Sequence, residues 1–192
     1  MKHVSLSYPR SGATFLQFLI RRAQPPSYKT LVHNKLHPNS QSFYAPNITD
    51  IVILILRNYK ECIIRHHITQ LQNIDLDESI PAYFWAIEAF EKFQKTKHLI
   101  YYEDFITDTT SELVKLVPIL KLNFSKIINN IESFRQESKI EYTKNKQNMS
   151  LSNDKLVFHS NKLSKEKQKQ WDDKFRQYDP VLFDKYLERY LT

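Results

Sequence analysis

The chain has 192 residues, with 28 Lys and Arg against 21 Asp and Glu, for a formal charge of +7. That length suits a single domain, expected to span residues 1–192, with enough buried surface to need no disulfide or metal staple. Cys62 is the lone cysteine, which excludes an intrachain disulfide and zinc sites built on cysteine pairs, and fits a cytoplasmic setting.

Residues 3–7, HVSLS, read as a short strand. The turn YPRSG follows, then ATFLQFLIRR reads as a helix with Phe15, Leu16, Phe18, Leu19 and Ile20 on its apolar face. Pro25 and Pro26 end it. Residues 29–33, KTLVH, read as a second strand, and residues 34–48 as a loop holding Pro38 and Pro46. IVILIL, residues 51–56, is an unbroken aliphatic run, the pattern of a strand buried on both faces of a parallel sheet. It is also the longest apolar run, far short of the ~20 residues of a spanning helix, so no membrane span is expected. The first residues hold no long apolar stretch either, so no signal peptide is expected there.

Helices are expected over 60–72 and 79–96, and a strand over 98–102. Thr109 and Glu112 match a capping box that opens a helix to about Leu120, and another helix covers about 124–135. Residues 143–162 include a polar, aperiodic stretch expected to be a mobile loop. Ser164 caps a helix to about Arg176, and Asp179 with Pro180 starts a terminal helix to Tyr190. Strands alternating with helices give an α/β fold of three layers, a central parallel sheet flanked by helices.

Gly12 is the sole glycine, where average usage of about 7% gives roughly 13 in a chain this long. Glycine is needed where φ is positive or where backbone must approach another group closely. Gly12 lies between a strand and an apolar helix, the layout of a phosphate-binding loop. The first N–H groups of such a helix have no acceptor within it and carry partial positive charge. Arg10 adds a forked cation suited to phosphate or sulfate oxygens, and Ser11 and Thr14 add hydroxyl donors. The alternative is an ordinary turn ahead of a helix. The loop lacks the first Gly and the Lys of a Walker A motif, and Arg57, rather than Asp, follows the buried strand, so no metal ligand is expected. Arg57 and Gly12 both fall at the carboxyl ends of strands, where open α/β sheets bind ligands. Two anion-binding features at one edge suggest a ligand with two separated anionic groups.

Three segments, in order, resemble those of the sulfotransferase family, whose fold is of the P-loop type. SYPRSGATFL, residues 7–16, resembles the 5′-phosphosulfate loop; ILRNYKECIIRH, residues 55–66, the 3′-phosphate segment; and LIYYEDF, residues 99–105, a later strand segment. The C-terminal part is similar only loosely, through Trp171 and YDPVLFDKYL. The resemblance implies the donor 3′-phosphoadenosine 5′-phosphosulfate (PAPS; product PAP) and sulfuryl transfer to a hydroxyl or amine. It implies that Arg10 stabilises the leaving phosphate and that the N–H groups of Ser11, Gly12, Ala13, Thr14 and Phe15 hold the 5′ end. It places Arg57 on the 3′-phosphate and Tyr102 near the adenine. Arg65 stands where the family has Ser, so it either joins the phosphate site or blocks it. The family's late Gly-containing segment is absent, and Lys155 or Lys162 is the candidate replacement cation.

Transfer to a hydroxyl benefits from a general base, commonly a histidine; the resemblance implies one after the second strand, where His33 at the strand end and His37 in the loop beyond it are the candidates. His66 and His67 read as structural or surface residues, Cys62 as a small apolar one, and Glu103 and Asp104 as hydrogen-bonding residues. The acceptor class stays open among carbohydrate, small molecule, lipid and peptide, and specific nucleic-acid binding is not expected. Two alternatives remain: a nucleoside or nucleotide kinase using ATP, and a nucleotide-binding family member without turnover.

Overall fold

The computed structural model describes residues 2–24, 32–36, 44–70, 75–145 and 163–191, with side chains described except at 32–36, 68–70 and 138–145. Pro25, Pro26, His37, Lys155, Lys162 and residues 29–31 lie outside the described residues, as does the expected mobile loop from residue 146 to 162.

Four strands, β1 (Lys2–Leu6), β2 (Val32–Leu36), β3 (Ile51–Leu56) and β4 (Thr96–Tyr101), form one sheet in the order β2-β1-β3-β4, all parallel. The unbroken run of β3 is buried along its whole length because it sits between two strands and under helices on both faces. Alternation along the strand sorts its side chains. Val52, Leu54 and Leu56 join Val4 and Leu6 of β1 in one core; Ile51, Ile53 and Ile55 face the other.

The first core is completed by α2 (Tyr59–Gln70), α3 (Leu76–Lys92), α7 (Lys165–Tyr178) and α8 (Pro180–Leu187), through residues such as Phe84, Phe175 and Phe183. The second is completed by α1 (Ala13–Ala23), α5 (Thr109–Leu120) and α6 (Phe124–Asn145), through Leu16, Leu116 and Ile127. The protein is thus an α/β chain with a parallel sheet between helices. Among the described residues no helix is long and apolar enough to cross a membrane.

Local signals start most of these helices. Ser164 accepts from the Lys167 N–H and Asp179 from the Leu182 N–H, with Pro180 at the first helical position. Asp75 caps α3, which begins three residues ahead of the expected start and ends at Lys92. Four further boundaries differ from the sequence reading. The second strand, Val32–Leu36, runs three residues past its expected end at His33. The fourth stops at Tyr101, and Tyr102 opens the short helix α4 (Tyr102–Thr107). Asp108, not Thr109, caps α5, and Thr109 instead donates its hydroxyl to the Phe105 carbonyl. Helix α6 continues to Asn145, ten residues past Arg135 and into the stretch read as a loop.

Candidate anion site at the sheet edge

The carboxyl ends of the parallel strands share one edge. Three segments leave it together: the loop from Ser7 to Gly12, Arg57 and Asn58 after β3, and Tyr102 after β4.

The loop turns through two left-handed residues, Arg10 at φ 74° and Gly12 at φ 87°. Gly12 is the N-cap of α1, with no side chain capping the helix, so its first turn presents backbone N–H groups toward the edge. Thr14 is exposed there, Phe15 packs on Phe105 with ring centres 5.4 Å apart, and Ala13 is buried. Ser11 departs from its expected role. Its hydroxyl and its N–H both donate back to the Tyr8 carbonyl, at 2.7 and 3.3 Å, and the residue is 1% exposed. Ser11 therefore braces the turn and does not offer its hydroxyl outward.

Arg57 is 4% exposed. Its Nη1 donates to the Arg10 carbonyl at 3.2 Å, and its guanidinium carbon lies 4.4 Å from the centre of the Tyr102 ring. Among the described residues no carboxylate lies within ion-pair distance of it. A buried cation so placed is stabilised by any anion that reaches it. The Tyr102 ring also covers Gly12, where a Cβ would collide with it. Gly12 thus serves both purposes that glycine serves, positive φ and close approach.

The surroundings hold these groups in place. The Tyr83 hydroxyl donates to the Arg57 carbonyl at 2.5 Å. The Asn58 N–H donates to Glu103 at 3.0 Å, and the Asn58 side chain accepts from the N–H groups of Lys60 and Glu61 at the start of α2. Glu103 also accepts from the Tyr190 hydroxyl, and Asp104 forms a two-pronged pair with Arg189. Their reading as hydrogen-bonding residues agrees with these contacts.

Helix α2 leans on the loop through one face. The Cys62 sulfur lies 3.5 Å from the Ser11 hydroxyl, and burial pushes its thiol pKa up to about 12, so it stays protonated. Arg65 and His66, three and four residues on, share that face. Burial, then the charge of Arg57, lowers the Arg65 pKa, and Tyr102 acts on it in the opposite sense. Arg65 therefore belongs to the same electrostatic cluster as Arg57 and Tyr102. His66 meets the loop at Tyr8, its Nδ1 3.0 Å from the phenol oxygen and the rings edge to face.

Of the two histidines expected as bases, His37 lies outside the described residues, and the backbone of His33 lies back from the sheet edge. His33 pairs in register with His3, at the second position of β2 rather than at its end. It stands three positions before Leu36, about 10 Å along a strand. The strand ends later than its apolar residues suggest because it is defined by pairing with β1. His37 follows Leu36 in sequence. Tyr8 and His66 are the site residues that the sequence reading passed over; the one available signal was the spacing of Arg65 and His66 from Cys62 on a helix that starts beside Arg57.

Comparison with family models finds no match, and comparison with curated proteins finds none.

Proposed function

We propose that the protein is a sulfotransferase with a P-loop-type fold, which moves a sulfuryl group from PAPS to a hydroxyl or amine. One observation carries this: buried Arg57, without a carboxylate partner among the described residues, is joined to the left-handed turn at the start of α1 and stacked on Tyr102. The three sequence segments that resemble the family's donor-binding segments supply those three elements.

The residues present fit such a donor. Arg10 and the first turn of α1 would hold the 5′-phosphate and sulfate. Arg57 and Arg65 would hold the 3′-phosphate, and the Tyr102 ring would lie against the adenine. The donor supplies an already activated sulfuryl group in its phosphate–sulfate anhydride. Arg10 and the helix N–H groups would stabilise the negative charge that grows as that anhydride opens, since preorganised donors of this kind stabilise a transition state without a covalent intermediate. Of the expected bases, His37 is the one that follows the last residue of β2.

Calorimetric titration with adenosine 3′,5′-bisphosphate, without magnesium and with ATP as comparator, tests this proposal. The expected result is micromolar binding that prefers the bisphosphate. Arg57→Ala and the less buried Arg65→Ala should each weaken it at least tenfold, a loss of about 1.4 kcal/mol. Equal binding of ATP, or none of the bisphosphate by folded protein, overturns it in favour of a kinase or a binding protein without turnover.

A further inference from the structure

We propose that Glu103 is a positioning residue of the anion site, which fixes the backbone that carries Arg57 and is itself held by Tyr190 of the turn after α8. The proposal rests on the donor-binding function above and concerns how that same site comes to prefer a ligand with a 3′-phosphate.

The peptide between Arg57 and Asn58 is gripped at both of its polar atoms. The Tyr83 hydroxyl of α3 donates to its carbonyl at 2.5 Å, and its N–H donates to Glu103 Oε1 at 3.0 Å. With both atoms engaged, the plane of the peptide is fixed, and so is the direction in which the Arg57 side chain leaves the backbone. Glu103 follows Tyr102 in α4. One helical turn therefore carries both the ring that stacks on the Arg57 guanidinium, 4.4 Å away, and the carboxylate that holds its backbone. The far side of Asn58 is anchored as well, its side chain accepting from the N–H groups of Lys60 and Glu61 at 3.0 and 3.3 Å.

The other carboxylate oxygen, Glu103 Oε2, accepts from the Tyr190 hydroxyl at 2.8 Å. Burial pushes the Tyr190 phenol pKa well above its usual value, so the hydroxyl keeps its proton and donates. Tyr190 ends the turn Glu188–Tyr190 after α8, and its buried ring joins the first core, edge to face with Tyr101 at 6.3 Å. Arg189, the residue before it, is pinned to the same helix α4 by two hydrogen bonds to Asp104, at 3.0 and 2.8 Å. The turn after α8 thus reaches Arg57 through one carboxylate. A carboxylate this close in the fold is also a rival for the cation. Here each of its oxygens is taken by an uncharged donor, and among the described residues neither Glu103 nor another carboxylate lies within ion-pair distance of Arg57. Glu103 holds the backbone and leaves the guanidinium to an incoming anion.

Calorimetric titration of the whole protein with adenosine 3′,5′-bisphosphate and with adenosine 5′-monophosphate tests the proposal, because the ratio of the two affinities reads the 3′-phosphate. A merely structural role would weaken both ligands alike and leave the ratio unmoved. Glu103→Ala, which frees the Asn58 N–H, should lower the ratio about tenfold, the effect of losing one hydrogen bond to a charged group. Glu103→Gln should restore it, since the amide oxygen still accepts from Asn58 and the amide nitrogen donates to the Tyr190 oxygen. Tyr190→Phe, which keeps the ring in the core, should lower the ratio about threefold, and it decides the matter if Glu103→Ala does not fold. A carboxylate acting only through its charge would repel the phosphate, so both substitutions of Glu103 would raise the affinity. That result overturns the proposal, as does a ratio unchanged in either folded variant, Glu103→Ala or Tyr190→Phe, or lowered equally in Glu103→Gln and Glu103→Ala. In each of those cases the wild-type preference for the bisphosphate stands, and with it the proposed function. Wild-type protein without that preference overturns both.

Discussion

Arg10 holds a left-handed backbone conformation, which costs an L-residue with a Cβ about 1–2 kcal/mol. Its carbonyl accepts from Arg57, so the strain is held in place by a buried side chain. Arg10→Gly keeps that carbonyl and relieves the strain, less about 0.5–1 kcal/mol for the freer unfolded chain. The expected outcome is a melting temperature raised by about 1–4 °C, together with weaker bisphosphate binding. A lowered melting temperature would show that the turn is not strained. Gly12 was legible in the sequence because a chain with one glycine marks the place that needs it. Arg10 was not, since an arginine carries no sign of its φ. The collision that forbids a Cβ at Gly12 comes from Tyr102, 90 positions away in the chain, and only the fold brings the two together.

Elements whose boundaries are fixed by neighbouring residues were the legible ones. Ser164 and the Asp179-Pro180 pair start α7 and α8 where the sequence placed them. At the start of α5 three cap-forming residues stand in a row, Asp108, Thr109 and Thr110, and the end of α4 decides among them by taking the Thr109 hydroxyl. Helix α6 runs long for a tertiary reason. Arg135 donates to Thr109 at 2.7 Å and Glu137 pairs with Arg22 of α1 at 3.0 Å, contacts that no local pattern announces. The shift of β2 is of the same kind, and it moved His33 away from the edge. Cap chemistry at Asp179 is testable by itself. Asp179→Ala should cost about 1 kcal/mol, or about 2–4 °C in melting temperature, because α8 carries Phe183 and Leu187 into the core. Asp179→Asn, which keeps an acceptor for the Leu182 N–H, should cost little. Equal losses in both would assign the effect to charge and not to the cap.

Across the whole molecule, the C-terminal helices brace the candidate site from behind. Lys60 and Tyr59 meet Asp172 of α7, and Glu103 and Asp104 meet Tyr190 and Arg189 beyond α8. The other face of the sheet carries a different charge problem. His3 of β1 is fully buried, and burial lowers its pKa from 6.5 to about 4. Between those values the unfolded chain binds the proton and the folded chain does not. The stability tied to neutral His3 is therefore full above pH 6.5 and is lost as pH falls toward 4. Over that window the loss is ~3 kcal/mol, at 1.36 kcal/mol for each pH unit. Burial also lowers His66 and His98, which act in the same direction. Asp172 acts in the opposite one, since burial raises its pKa from 3.8 to about 6 and so favours the folded state as pH falls through that range. Asp104, held below its usual value by Arg189, loses its contribution only below pH 3.8. The wild-type profile sums these opposed contributions, so the comparison with His3→Leu is what isolates the strand. In urea titrations, the stability of His3→Leu relative to wild type should rise by ~3 kcal/mol between pH 7 and pH 4. A difference that stays constant across that range would mean that His3 is protonated within the fold, and that the sheet accommodates a charge beneath α1.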